Sequence, residues 1–255
     1  MKIIDGGVTA AEGFQAAGLA AGIKKGNTKD MALVYSEKPC VAAGTFTTNV
    51  VKAAPVKWDQ HIVYDAPTAQ AIVCNSGVAN ACTGEEGYGY CKETAKIAAE
   101  SLQIPEDSVL VASTGVIGKQ LPMDLLGAGI KNLVPLLSHT REAGKLAAQS
   151  IMTTDTVSKE VAVTMEIGGK TVTLGGMCKG SGMIHPNMAT MLSVTTTDAA
   201  IDGEDLQELV SEIVSDTFNM ISVDRDTSTN DTYVVLANGA SGVTIKKGTK
   251  AYDDF

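Results

Sequence analysis

Residues 160–177 read EVAVTMEIGGKTVTLGGM and hold two short runs rich in β-branched and apolar residues, separated by Gly168 and Gly169. β-Branched residues favour strands. Two adjacent glycines accept the positive φ angles that a tight hairpin turn requires. We therefore predict strands over residues 160–167 and 171–177, joined in an antiparallel hairpin.

Similar runs and helical patterns alternate on both sides of this hairpin. Further strands are predicted over residues 31–36, 41–48, 70–74, 108–113, 191–196 and 232–238. The 3.6-residue period predicts one helical face with Tyr88, Cys91, Ala95, Ala98 and Leu102, and another with Leu206, Leu209, Val210, Ile213 and Phe218. Two more helices are predicted over 123–137 and 141–152, and Asp202 is a candidate N-cap. The alternation favours an α/β class, a layered α+β sandwich.

Length and charge exclude several classes of protein. At about 150 residues per domain, 255 residues make one large domain or two small ones. The net charge of −9 repels phosphate backbones, so nucleic acid is not an expected partner. Asp5 and Glu12 interrupt the N-terminal segment, and no uncharged apolar run reaches the ~18 residues of a membrane span. We expect a cytoplasmic protein without a membrane partner.

No motif points to a metal or a cofactor. The five cysteines lack metal-ligand spacing and are expected to be reduced thiols packed as small apolar residues; they are Cys40, Cys74, Cys82, Cys91 and Cys178. The glycines match neither a dinucleotide fingerprint nor a P-loop. Residues 224–235 superficially match a calcium loop, but Thr229 occupies the sixth position and Val235 the twelfth. We predict no metal and no cofactor.

A threonine nucleophile is the remaining candidate for catalysis. The three histidines do not accompany a serine or cysteine in a nucleophile elbow. Thr190 stands where a Gly- and Pro-rich approach enters a predicted strand, and a freed threonine amine can act as its own base. On the residues of this segment alone, an ordinary loop leading into a strand is the favoured interpretation.

The wider sequence resembles the ornithine acetyltransferase family of arginine biosynthesis. The matching stretches are residues 6–10 (GGVTA), 43–49 (AGTFTTN), 75–84 (NSGVANACTG), 113–118 (STGVIG), 153–156 (TTDT) and 179–192 (KGSGMIHPNMATML). They run through the whole chain in order. The resemblance implies the layered fold shared by these enzymes and the self-cleaving aminopeptidases.

The resemblance also implies a self-processing enzyme. Thr190 would attack the carbonyl of Ala189, giving an α segment of residues 1–189 and a β segment that begins at residue 190. Residues 190–255 would be the N-terminal part of that β segment. The cleaved enzyme would transfer acetyl from N2-acetyl-L-ornithine to L-glutamate by a ping-pong route through acetyl-Thr190. Some members also use acetyl-CoA as the donor.

Specific roles follow from the same resemblance. Thr114 and Gly115 would stabilise the oxyanion, and Lys179 would bind the substrate α-carboxylate. Thr153 would contact the substrate, with Thr154 in its place if the register is shifted by one. The implied partners are small amino-acid substrates and the α and β chains of one precursor in an α2β2 heterotetramer.

Two departures from the family pattern keep alternatives open. Family members are longer, and this chain stops at Phe255, where a helix is expected to begin; Arg225 stands where a glycine is expected. The alternatives are an N-terminal-nucleophile amidohydrolase or aminopeptidase on the same scaffold, and an inactive fragment. We expect the chain as given to lack the C-terminal remainder of its β segment and to be an incompetent transferase.

Overall fold

A computed structural model describes residues 1–185 and 191–255. In chain order, the strands are β1 (Lys2–Ile4), β2 (Phe14–Leu19), β3 (Met31–Phe46), β4 (Thr68–Val78), β5 (Val109–Val116), β6 (Lys159–Ile167), β7 (Lys170–Lys179), β8 (Leu192–Thr197), β9 (Ala200–Ile201), β10 (Thr232–Ala237) and β11 (Thr244–Ile245). The α-helices are α1 (Ala54–Asp65), α2 (Gly84–Leu102), α3 (Met123–Leu133), α4 (Arg141–Ser150), α5 (Gly203–Asp216) and α6 (Lys250–Asp254).

Most strands belong to one mixed sheet. Its order is β1-β6-β7-β8-β10-β3-β4-β5, with β2 paired to β3 beside this path, and β9 and β11 pair separately. The β8–β10 and β4–β5 pairs are parallel. The remaining neighbours in the large sheet are antiparallel. This mixture agrees with the predicted α/β class.

The predicted hairpin is the β6–β7 pair. Ile167 lies opposite Lys170, and Gly168 and Gly169 between them have φ angles of 60° and 78°. Glycine adopts this left-handed region without the steric cost that a Cβ carries. The sequence prediction of this turn is confirmed.

The sheet separates two apolar clusters, as the alternation of strand side chains requires. Along β10, Val234 and Leu236 lie in the larger cluster, whereas Val235 and Ala237 lie in the smaller one. Helices α1 to α4 all contribute buried residues to the larger cluster, and α5 contributes to the smaller one. The result is a layered sandwich with helices on both faces of the sheet.

Strand β3 corrects the sequence prediction, which divided it into two strands. Its first part, from Met31 to Ser36, pairs with β2, and its second part, from Val41 to Phe46, pairs with β10. The register against β4 shifts between Tyr35 and Cys40. Because each half has its own pairing partner, the chain stays extended across the exposed residues 37–39 between the halves.

Helix α1 was not predicted, and one reason is Asp59. This carboxyl-bearing residue is fully buried in the helix and interrupts its apolar period. Helix α5 was predicted with its N-cap: the side chain of Asp202 accepts a hydrogen bond from the Glu204 amide at 3.0 Å. Ile213, however, is 49% exposed, while Val214 is buried.

The helix geometry explains the difference at Ile213. The buried residues Leu206, Val210 and Val214 are four positions apart, and each step of four advances about 40° around a helix. The buried stripe therefore turns away from Ile213 at the end of α5.

The predicted packing of the cysteines also needs a correction. Cys40, Cys74 and Cys91 are buried, but Cys82 is exposed. Cys82 lies in the loop before α2 with a φ of 57°, outside the packed elements. In the part of the chain described, none of the helices combines the length and the apolar character needed to cross a bilayer.

Candidate active site

A cavity of about 400 Å³ brings together the predicted oxyanion residues and the predicted substrate-binding residues other than Thr190. It lies where the ends of β5 and β7 meet the loop that precedes β10. Its lining includes Thr114, Gly115, Thr153, Thr154, Lys179, Ser228, Thr229 and Asn230. Three separate segments of the chain thus supply the predicted oxyanion pair, the predicted substrate threonine with its neighbour, and the predicted lysine.

Thr114 and Gly115 stand at an irregularity in the β4–β5 pair. Gly77 faces Gly115 with φ angles of 113° and 134°, and the register shifts at Val78. A Cβ on Gly115 would overlap the main chain of Gly77. Only glycine fits this approach, which places the Thr114–Gly115 peptide at the cavity wall with the Thr114 side chain buried.

Asn230 ties the loop before β10 to this wall. Its Nδ2 donates to the carbonyl oxygens of Ala79 at 2.6 Å and Ser113 at 2.8 Å. The hydroxyl of Thr229 donates to the Asn230 Oδ1 at 2.6 Å. Because hydrogen bonds between buried groups fix orientation, the carbonyl before Thr114 is held in place. No sequence motif predicted this role for Asn230.

Lys179 is the last residue of β7 and lies opposite Leu192 at the start of β8. It is only 2% exposed. Burial lowers the pKa of its ammonium group, and the nearby carboxylate of Asp155 opposes this effect. A buried cation of this kind binds an incoming anion strongly, because little water competes for either charge.

Asp155 links the predicted substrate residue Thr153 to the chain directly after Lys179. Its Oδ1 accepts hydrogen bonds from the Lys159 Nζ at 2.5 Å and the Gly180 amide at 2.8 Å, and its Oδ2 accepts from the Thr153 amide at 3.2 Å. Burial raises the pKa of this carboxyl, but these hydrogen bonds outweigh that effect and hold the pKa below its usual value. Asp155 belongs to the TTDT motif, but the motif alone did not predict this role.

Asp231 was also missed. It is fully buried, and its Oδ1 accepts a hydrogen bond from the Met191 amide at 3.0 Å. Burial raises the pKa of its carboxyl to about 7. The available signal was the acidic segment 224–231, whose spacing superficially matches a calcium loop.

Arg225 in the same segment has a φ of 67°, in the left-handed region that favours glycine. The family pattern led us to expect a glycine at this position. Ala189 and Thr190 lie outside the described residues, which resume at Met191 immediately before β8.

Comparison with solved structures identifies the class of fold. The chain superposes with a TM-score of 0.54 on an aminopeptidase, the L-aminopeptidase D-Ala-esterase/amidase of Ochrobactrum anthropi, described as a variant of the Ntn hydrolase fold. The match covers 93% of this chain and 75% of that one at 11% identity. The chain therefore has the fold of this class.

The sequence comparison then gives the family. The model of the ArgJ family matches residues 15–255, and the chain belongs to this family. It is 54% identical over 244 residues to the arginine biosynthesis bifunctional protein ArgJ of Symbiobacterium thermophilum. That match covers 95% of this chain and 60% of the relative, so the chain spans about 60% of the relative's length.

A solved structure of higher sequence identity is also similar in fold. The ornithine acetyltransferase of Mycobacterium tuberculosis, complexed with ornithine, superposes with a TM-score of 0.68 at 42% identity. The match covers 75% of this chain and 99% of that one.

Proposed function

We propose that the protein transfers acetyl from N2-acetyl-L-ornithine to L-glutamate by a ping-pong route, after self-cleavage between Ala189 and Thr190. The observation that carries this proposal is the cavity lined jointly by Thr114, Gly115 and Lys179. An acyl-transfer site needs an oxyanion stabiliser and a substrate anchor close together. The complex of the tuberculosis relative with ornithine supports the choice of substrate.

Self-cleavage prepares the nucleophile. The Thr190 Oγ attacks the Ala189 carbonyl, the acyl group moves from nitrogen to oxygen, and water hydrolyses the ester. The products are a carboxylate on Ala189 and a free amine on Thr190. A free α-amine has a reference pKa of about 7.7 to 8.0, so a useful neutral fraction accepts the hydroxyl proton near pH 7.

Acetyl transfer then uses the same hydroxyl twice. The Thr190 Oγ attacks the acetyl carbonyl of acetylornithine. The hydroxyl proton of Thr190 passes through the α-amine of Thr190 to the leaving ornithine nitrogen, and acetyl-Thr190 forms. The amine of glutamate attacks this ester, loses a proton and regenerates the hydroxyl. Thr114 and Gly115 stabilise the oxyanion in both halves, where one such donor contributes about 3 to 4 kcal/mol.

Lys179 and Thr153 anchor the substrate. Acetylornithine and glutamate both carry an α-carboxylate, and one buried ammonium binds each in turn. Because Asp155 contacts both the Thr153 amide and the Gly180 amide, it keeps the two anchors at a constant separation. In a double-displacement reaction the two substrates bind one after the other, so a single carboxylate-binding site can serve both.

The share of matched residues supports the division at Ala189. The solved tuberculosis chain is matched over 99% of its own length, so almost none of it lies outside the match. The match nevertheless covers only 75% of this chain. Residues 1–189 make up a similar share of the 255 residues. We extend the proposal to an α2β2 assembly of the two segments, with acetyl-CoA as an additional donor and no bound cofactor.

The test uses the purified full-length gene product with acetylornithine, with and without glutamate. We expect acetylglutamate only when both are present, and the chain that begins at Thr190 should gain the mass of one acetyl group when glutamate is omitted. Release of acetate at a rate that glutamate does not change would instead indicate an amidohydrolase.

A further inference from the structure

We propose that the loop of residues 224–231 is a processing clamp, in which Asp224 holds the chain before the cleavage site and Asp231 holds the chain after it. The inference rests on the proposed self-cleavage. It assigns a role to two carboxyl groups that take no part in the acetyl-transfer steps above.

The first contact is upstream of the cleavage site. The Asp224 carboxylate accepts hydrogen bonds from the amides of Met183 at 2.5 Å and Ile184 at 2.7 Å. The Ile184 carbonyl in turn accepts from the amides of Val223 at 2.9 Å and Arg225 at 3.3 Å. These backbone amides lower the pKa of Asp224, so the carboxylate is charged at neutral pH. Residues 183–184 are thereby fastened to the loop from both sides.

The second contact is downstream. The Asp231 Oδ1 accepts the amide hydrogen of Met191, the residue that follows Thr190. The Asp231 side chain is completely buried, and its Oδ2 has no hydrogen-bond partner within the described part of the chain. A buried carboxyl with an unsatisfied oxygen is costly to maintain. The Met191 amide binds its other oxygen, and the Ser228 and Thr47 hydroxyls and the Lys179 ammonium lie near enough to oppose part of the effect of burial on its pKa.

The loop between these two contacts is itself fixed to the core. The Thr47 amide donates to the Asp231 carbonyl at 2.9 Å, and the Ala53 amide donates to the Thr229 carbonyl at 2.9 Å. The Thr47 hydroxyl donates to the Ser228 carbonyl at 2.6 Å. Asn230 adds the two hydrogen bonds to the β4 and β5 ends described above. The clamp therefore has a rigid base.

A rigid base matters because an internal acyl shift depends on placement. Nucleophile and carbonyl carbon react efficiently only when they are held about 3 to 3.5 Å apart in the correct orientation. Holding the chain on both sides of the scissile bond restricts the conformations that the reacting peptide samples. Asp224 and Asp231 are thus positioning residues for cleavage.

The experiment follows self-cleavage of the full-length gene product after cell-free synthesis, by the fraction split into two chains over time. The variants are Asp224→Ala, Asp231→Ala and Asp231→Asn. The controls are Asp216→Ala, at the exposed end of α5, and Asp198→Asn. Asp198 is a buried carboxyl at the other end of β8 and accepts the amides of Thr173 and Glu12.

We expect both alanine variants to split at least about tenfold more slowly, which is the factor that loss of about 1.4 kcal/mol of hydrogen bonding implies. Asp231→Asn keeps an oxygen that accepts the Met191 amide and should split faster than Asp231→Ala. Rescue by asparagine separates positioning from a general loss of stability. Both controls should split at the rate of the unmodified chain, even if Asp198→Asn lowers the thermal midpoint.

Three results would count against the clamp. If the unmodified chain splits and the folded alanine variants match its rate, the clamp alone is wrong. If the unmodified chain stays intact, the proposed self-cleavage is wrong and the clamp falls with it. An Asp231→Asn protein that splits no faster than Asp231→Ala would also remove the role of the Met191 hydrogen bond.

Discussion

Gly115 faces Gly77 across β5 and β4 so closely that a Cβ on Gly115 would overlap the Gly77 main chain. The overlap adds to the roughly 1 to 3 kcal/mol that a strained backbone position costs. We expect Gly115→Ala to lower the free energy of unfolding by about 3 kcal/mol or more and to abolish self-cleavage. Urea unfolding and a gel of the expressed chain measure the two effects.

Gly118 provides the matched control. Its φ is 79°, but a Cβ there would meet nothing within 4 Å. Gly118→Ala should therefore cost only about 1 kcal/mol of backbone strain and leave cleavage intact. Equal losses in the two variants would show that the contact with Gly77 is not what requires glycine at position 115.

Thr190→Ala should abolish both cleavage and acetyl transfer, because one hydroxyl serves both reactions. Thr190→Ser should retain partial cleavage, since the hydroxyl remains and only the methyl group that restricts χ1 is lost. Intact mass of the purified protein checks the first effect, and acetylglutamate formation checks the second. A Thr190→Ala protein that still separates into two chains before residue 190 would contradict this assignment.

Lys179→Ala should raise KM for acetylornithine and for glutamate by about thirtyfold, which corresponds to roughly 2 kcal/mol for a buried charge contact. Self-cleavage should change little, because the internal peptide has no α-carboxylate to anchor. Lys96→Ala, on the exposed surface of α2, should leave both constants unchanged. Unaltered KM values in Lys179→Ala would remove the lysine from the substrate site.

Asp231 should make stability depend on pH. Burial raises its pKa to about 7 in the folded protein, against about 3.9 when unfolded. The folded state therefore binds the proton of Asp231 more tightly than the unfolded state does. The stabilisation of the fold by this proton is complete below about pH 4 and is lost as the pH rises to about 7. The free energy of unfolding of the unmodified protein, minus that of Asp231→Asn, should fall by about 1.4 kcal/mol per pH unit over this range.

Urea unfolding of both proteins at several pH values between 4 and 8 measures this difference. It should level off above pH 7, where the carboxyl is ionised in both states. A difference that stays constant from pH 4 to pH 8 would show that Asp231 is ionised in the folded protein throughout.

Local patterns predicted a large part of the fold. The glycine pair 168–169, the period of α2 and the Asp202 cap depend on neighbouring residues, and all three are as predicted. The continuity of β3 was not predictable in this way. It depends on pairing with β2 and β10, and no short stretch of sequence contains that information.

For the candidate site too, features written in consecutive residues were predictable, whereas contacts between distant residues were not. By itself, the sequence determined the family, because ordered motifs such as those at 113–118 and 179–192 are written in consecutive residues. Only the tertiary structure decided that Asp155 contacts Thr153 and Gly180, and that Asp231 binds the Met191 amide. The second contact joins residues 40 positions apart. A carboxyl group is exposed in most sequence contexts, and its burial against a particular amide arises only when strands β8 and β10 come together in parallel.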